Sequence, residues 1–318
     1  MSDRYCIIDT DCGIDDSQAI MIAICQNVNI LAITCVTGSV HVDQVVKNVA
    51  YVLKLCNRSD IPVYKGAAKP ILGKPVYSTE FHGRDGLGDI PNREDDEAFL
   101  NQVLRNEDGI STLVRLVNDY EGRIDIASIA PLTNIALAQR LDSTFASKLS
   151  SITIMGGNHE GKGNTTPSAE FNFYSDPEAA HIVIKEFPSV CITRLVTWET
   201  ALLHSVSWQW VCQWLTYRSE KGRFNHAVFS SNLKFYRSKL FTGMAICDPI
   251  VMALTFNPEL IIKSAKVNAE VELIGRLSRG QLIVDWLEID TSQTPRLEII
   301  LKLNIDAVKN MMITAAQN

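Results

Sequence analysis

The chain has 318 residues, 46% of them hydrophobic, and a formal net charge of -6. That is globular composition with material for a sizeable core, and mild acidity without a basic run excludes a nucleic-acid-binding surface. No segment offers the roughly 18 uninterrupted apolar residues of a membrane span, and "MSDRYCIID" lacks the pattern of a signal peptide, so the expectation is a cytoplasmic protein with no membrane partner.

Taken in chain order, "YCIID" (5–9) predicts a buried strand and "DDSQAIMIAICQN" (15–27) an apolar helix. A second strand at 30–36 and a helix over 42–56 follow. Further strands fit 61–64, 124–129, 151–155 and 190–196, with helices at 109–119, 134–140 and 177–186. Continuous apolar strands alternating with helices predict an α/β fold, an open, mostly parallel Rossmann-like sheet with helices on both faces. In such sheets the functional loops lie beyond the strand C-termini. The stretch 65–105 has little periodicity and contains "FHGRDGLGD", so it reads as a mobile loop over that edge. Residues 205–255 read as mostly helical, those beyond 259 as a small C-terminal β-hairpin region, and 304–315 as a last helix. No repeat or linker interrupts the pattern, which predicts a single domain over 1–318.

The eight cysteines, Cys6, Cys12, Cys25, Cys35, Cys56, Cys191, Cys212 and Cys247, form no C-x-x-C pair and sit mostly in apolar surroundings. They read as reduced, buried thiols and not as a zinc site.

The strongest local signal is "IIDTDCGIDD", where Asp9, Asp11, Asp15 and Asp16 crowd the end of the first strand. Asp15 and Asp16 suit a helix N-terminus, and Gly13 a turn needing backbone angles other residues resist. Asp9 and Asp11 remain unexplained by that, and alternation along a strand would point both the same way. Carboxylates converging on one point suit a hard cation with oxygen ligands. An EF-hand is excluded, because Ile20 stands where its bidentate glutamate is required. The D-x-D spacing also fits haloacid-dehalogenase-like phosphatases, although the lysine and downstream Asp-Asp pair of that class are missing.

Together with "HGRDGLGD" (82–89), "APLTNIALA" (130–138), "IMGGN" (154–158), "GNTTPSAEFNFYSDPEAA" (163–180), "CDP" (247–249) and "SRGQLIVDW" (278–286), the chain resembles the inosine/uridine-preferring nucleoside hydrolases, with the motifs in that family's order. The resemblance implies a bound calcium ion and hydrolysis of the N-glycosidic bond of ribonucleosides, with purine substrates such as inosine favoured. A related N-riboside is an alternative substrate, and a calcium-organised ribose-binding protein without catalysis is a third reading. Asp11, Asp16, Asp248 and the backbone carbonyl of Thr133 would hold the metal. Asp11 would take a proton from the attacking water, with inversion at the sugar. Ribose recognition would fall to Asp15, Asn164, Glu170 and Asn172, beside Phe171, with Met155 against the ring; Asp9 would orient the turn. Asn164 also fits a simple glycine-flanked turn. His82 is expected in a loop closing on the base, and by analogy with the family the assembly is a homodimer or homotetramer.

Two positions depart from the family pattern. Many relatives carry histidine as proton donor where this chain has Cys247, which resembles a subgroup with cysteine there and reads equally as packing. Ser39, in "TGSV", replaces the usual asparagine and would lose one amide contact to ribose or water. With the leaving-group acid open, Trp198, Phe224, Phe229 and Tyr236 are candidate aromatic faces for the base, whereas Trp208, Trp210 and Trp214 read as core or interface.

Overall fold

The computed structural model describes residues 4–90, 93–239, 241–290 and 296–317. Its strands are β1 Tyr5–Thr10, β2 Ile30–Cys35, β3 Val63–Lys65, β4 Leu104–Arg105, β5 Ile124–Ser128, β6 Ser151–Met155, β7 Ile192–Val196, β8 Val206–Ser207, β9 Gly243–Met244, β10 Ile261–Val271, β11 Leu282–Asp285 and β12 Leu297–Leu303. Ten of these form one open sheet in the order β11-β10-β12-β7-β6-β5-β1-β2-β3-β4, and β8 pairs with β9 separately. All neighbours from β4 across to β12 run parallel; only β10 and β11 are antiparallel additions. The sheet is the α/β architecture that the apolar strand–helix alternation predicts.

β1 lies between β2 and β5, so the chain builds outward from it in one direction through β4 and in the other through β7. That reversal opens a crevice at the strand C-termini, where open α/β sheets bind ligands. The helices are α1 Ile14–Cys25, α2 Val42–Leu55, α3 Thr79–His82, α4 Glu97–Val103, α5 Gly109–Asp119, α6 Thr133–Leu141, α7 Phe171–Ser175, α8 Pro177–Glu186, α9 Trp198–Leu203, α10 Trp208–Trp214, α11 Glu220–Ser238, α12 Asp248–Phe256 and α13 Ile305–Gln317. They cover both faces, because successive residues of β1 face opposite ways: Cys6 and Ile8 pack with α1, α2 and α12, and Ile7 with α5, α6 and α8. Among the described residues, no helix is long and apolar enough to cross a membrane.

Three expectations change. The stretch 65–105, apart from residues 91–92, which lie outside the described residues, is tied down and contains α3, α4 and β4. Asn48 Nδ2 donates to the carbonyls of Cys12 and Asp85, Asp89 Oδ1 accepts from the amides of Arg84 and Asp85, and Leu87 is fully buried. These are aperiodic side-chain-to-backbone bonds, which leave no mark in hydrophobic periodicity. The C-terminal hairpin of β10 and β11 gains β12, outside the expected elements, which pairs parallel with β7 and antiparallel with β10 and makes the hairpin continuous with the sheet. Finally, β1 ends at Thr10, so the alternation that would align Asp9 with Asp11 stops before Asp11.

Candidate active site

The loops after β1, β2, β5, β6 and β7, together with α3 and the start of α12, enclose a cavity of about 460 Å³. Its acidic side is built first by the β1–α1 turn. Asp16 accepts from Thr10 Oγ1 at 2.6 Å and from the Gly13 amide at 2.8 Å, which stitches the turn to the first turn of α1. Asp11 Oδ2 accepts from both the amide and the hydroxyl of Ser39, which ties Ser39 to the β1–α1 turn. Gly38 is required there, since a Cβ would lie 2.2 Å from Asp11 Oδ2. Gly13 is required for a different reason than expected. Its backbone is extended (φ -85°), and it is the close approach of His82 Nδ1, 2.3 Å from a would-be Cβ, that excludes a side chain. Cys12 takes the left-handed angle instead, at φ 31°.

Asp15, Asp16 and Asp248 bring carboxylate oxygens within 4.8 Å of one another. Burial first, and then mutual repulsion, pushes Asp15 and Asp16 up to about 7. Asp11 and Asp248 are raised as well, for the same two reasons. Buried carboxylates held this close, with repulsion among themselves as the leading charge interaction, fit a hard divalent cation. Asp11 lines the same cavity.

Thr133 is a correction. It opens α6, so helical geometry takes its carbonyl as an acceptor, and its hydroxyl donates to Asp176 at 2.6 Å. Thr133 does not line the cavity; Ile129, directly after β5, does. Asp9 does not join the cluster either. Fully buried, it accepts from Thr34 Oγ1 at 2.6 Å and Asn134 Nδ2 at 2.8 Å, tying β1 to β2 and α6.

The remaining expected residues line the cavity: Met155, Asn164, Glu170, Phe171, Asn172, Trp198, His82 and Cys247. Glu170 caps α7 and accepts from the amides of Gly157, Asn172 and Phe173, with burial raising it to about 7. Asn164 Oδ1 accepts from the Phe171 amide, and Asn172 Nδ2 donates to the Met155 carbonyl. Each thus keeps its other amide atom to offer a ligand, a donor at Asn164 and an acceptor at Asn172. His82 is buried, and its Nδ1 accepts from the Ile14 amide at 3.1 Å. Desolvation lowers it to about 3, so it stays neutral with the proton on Nε2. Cys247 is the N-cap of α12, half-buried, and burial followed by Asp15 pushes its thiol well up.

An aromatic wall completes the cavity. Phe81 and Phe241 pack edge-on against Tyr236, with centroids at 5.6 and 5.4 Å. The Tyr236 hydroxyl donates to the Ala245 carbonyl at 3.2 Å. Of the expected aromatic faces, Trp198 and Tyr236 are here, whereas Phe224 packs on Tyr51 and Phe229 on Trp214, both outside the lining. Phe81 and Phe241 were not foreseen; Phe81 had a signal, its place beside His82, and Phe241 had none.

The sequence model describing the inosine-uridine preferring nucleoside hydrolases matches residues 6–310. The chain belongs to this family. As a nucleoside hydrolase it is an N-glycosyl hydrolase acting on N-ribosides, which sets aside the phosphatase reading. It is 34% identical over 292 residues to a probable uridine nucleosidase 2 of Oryza sativa subsp. japonica, covering 88% of this chain and 83% of the relative. It is 28% identical to an inosine-uridine preferring nucleoside hydrolase of Crithidia fasciculata, over 98% of this chain and 96% of that one. A solved structure described as an inosine-guanosine nucleoside hydrolase superposes with a TM-score of 0.90 at 29% identity, covering 98% of each chain. The family uses a metal ion, and the aspartate cluster is the place in this nucleoside hydrolase that suits one.

Proposed function

We propose that this nucleoside hydrolase is calcium-dependent and prefers purine ribonucleosides such as inosine, releasing free base and ribose. The observation that carries the reading is the convergence of Asp11, Asp15, Asp16 and Asp248 in one cavity with Asn164, Asn172 and an aromatic wall. Asp11, Asp16 and Asp248 would hold the ion, with Asp15 beside them; calcium is favoured over magnesium because it tolerates an irregular, carboxylate-rich shell. Bound there, the cation supplies positive charge that acidifies water and orders ribose hydroxyls.

The chain's own groups do the rest. Asp11 takes the proton of the attacking water, its carboxylate fixed by the two Ser39 donors on Oδ2. Asp15, Asn164 and Asn172 bind the ribose hydroxyls, and Glu170 holds the Gly157 and 171–173 backbone that frames them. Met155 packs against the sugar and Trp198, Phe171, Phe81 and Tyr236 against the base. Of the five carboxyls of the lining, Glu170 already accepts three backbone amides, and Asp15, Asp16 and Asp248 are given to the ribose and the ion; this leaves Asp11 as the base and supports direct water attack with inversion over a covalent ribosyl-enzyme. His82 Nε2–H is the neutral donor available to the leaving base. A cytoplasmic location belongs to the same reading, supported by eight free cysteines. So does a homo-oligomer, supported by exposed Ile274, Leu277, Trp286, Leu287 and Ile289 on one end of the sheet.

The test is ribose release from inosine, guanosine, adenosine, uridine and cytidine, with calcium and after exhaustive chelation. Calcium-restored release led by inosine is expected. Fastest release from uridine overturns the purine preference, and full activity after chelation overturns the metal's role.

A further inference from the structure

Glu199 lies one residue beyond Trp198 in the first turn of α9, and neither the aspartate cluster nor the base wall accounts for it. Its side chain is only 4% exposed, a costly place for a carboxylate unless its oxygens are satisfied. They are. One oxygen accepts from the His159 amide at 2.8 Å, and the other from the amides of Glu160 at 3.1 Å and Lys162 at 3.0 Å. His159 closes the arrangement: its Nδ1 meets Thr197 Oγ1 at 2.5 Å and lies 3.5 Å from the carboxylate, and Trp286 Nε1 donates to its carbonyl. The loop is held from its other side by Asn158, whose Nδ2 donates to the carbonyls of Lys162 and Ser168. The clamped segment runs directly into Lys162, Gly163, Asn164 and Thr165, all of which line the cavity.

We infer that Glu199 is a positioning residue: its carboxylate fixes the 159–162 backbone so that Asn164 meets the ribose in register with Trp198. This rests on the reading of the cavity as the nucleoside site. Three amides converging on one carboxylate require an acceptor at both oxygens, which a glutamine cannot supply. In Glu199→Gln, one face of the amide sets N–H against N–H, and the 159–162 turn gives way. The neighbouring Trp198 keeps its own backbone anchor, its amide donating to the Gly157 carbonyl at 3.0 Å. The defect is therefore expected in the loop and in substrate binding, not in the chemical step.

The experiment compares the unmodified chain with Glu199→Gln and Glu199→Asp, in calcium, with inosine. Expected is a rise in KM of roughly tenfold for Glu199→Gln at nearly unchanged kcat, the scale of one lost charged hydrogen bond. Glu199→Asp, which keeps the charge but falls one methylene short, is expected in between. In parallel, limited trypsinolysis should cleave after Lys162 faster in Glu199→Gln than in the unmodified chain, where both the amide and the carbonyl of Lys162 are bonded. A double-mutant cycle with Asn164→Ala should show KM effects that do not add, because both changes act through one side chain. Unchanged KM with unchanged cleavage at Lys162 overturns the inference, as does a loss confined to kcat. Should neither variant fold, amide exchange in the unmodified chain decides. Protection of the His159, Glu160 and Lys162 amides comparable to β6 is required, and free exchange overturns the clamp. If Asn164→Ala leaves KM unchanged while the clamp variants open the loop, the reading of the nucleoside site fails and the clamp stands.

Discussion

The acidic side and the aromatic wall of the cavity are built by opposite physics. On the acidic side, Asp11, Asp16 and Asp248 are buried and Asp15 half-buried, all crowded together, and each is raised by desolvation and by its neighbours. That region is destabilised as it stands and gains from a cation. The wall of Phe81, Tyr236 and Phe241 is self-sufficient: rings pack edge-on at 5.6 and 5.4 Å, and the Tyr236 hydroxyl already has its acceptor. The difference teaches which side carries chemistry and which carries shape. Strain left in a functional site usually marks the groups the reaction uses.

The largest effect should therefore come from the acidic side. Asp11→Asn removes the base while keeping an acceptor for the two Ser39 donors, so the fold is retained. kcat on inosine should fall on the order of a thousandfold, the scale of lost general base catalysis. Steady-state kinetics with a circular dichroism control checks it. A fall below about tenfold would move the base elsewhere and undo the contrast.

The same contrast decided what the sequence could reveal. "DTDCGIDD" was legible because four like charges within eight positions have no bland explanation, and Asp11, Asp15 and Asp16 do meet in space. Asp9, expected beside the metal site and not in it, bonds Thr34 and Asn134, and the alternation that would align it with Asp11 ends with β1 at Thr10. The parallel sheet was legible through its continuous apolar strands, whereas β12 was not, since "LEIILKL" alternates charged with apolar residues and resembles no fully buried strand. Phe81 and Phe241 were invisible for a related reason. An aromatic side chain reads as core unless its neighbours in space are known, and Phe224 and Phe229, chosen instead, are core. The clamp at Glu199 consists of a carboxylate on three backbone amides, a partner set that no residue pattern encodes.

A smaller effect separates the two sides by pH. In the metal-free protein, Asp15 and Asp16 are raised from 3.8 to about 7, so between those values the native chain binds more protons than the unfolded one. Their contribution to stability consequently falls as pH rises through that window. His82, against the wall at 4.7 Å from the Phe81 centroid, is lowered from 6.5 to about 3. There the unfolded chain takes up the proton, and stability rises with pH across the window. Thermal melts of chelated protein from pH 4.5 to 7 should show stability falling with pH, because several raised carboxyls outweigh the one histidine. His82→Gln should steepen the fall, and calcium should make it shallower by removing the share of Asp15 and Asp16. Identical profiles with and without His82 would mean that the histidine is not buried neutral.

The smallest effect is expected where the two sides meet, at Cys247. The residue neighbours both: it directly precedes Asp248 in the chain and lines the cavity together with Tyr236. Burial and Asp15 hold the thiol protonated, which removes it as a base, and a thiol is a weak donor even so. As the N-cap of α12 it makes no side-chain cap bond, so it supplies little to the helix beyond volume. Cys247→Ser keeps that volume and offers a stronger donor, and kcat on inosine should change by less than about threefold. A larger fall would make the thiol's softness or acidity part of the chemistry, and the leaving base would then be protonated from the acidic side. A large rise would say that a hydroxyl donates where the thiol does not. Little change leaves His82 Nε2–H, its ring held by the Ile14 amide at Nδ1, as the neutral donor to the leaving base.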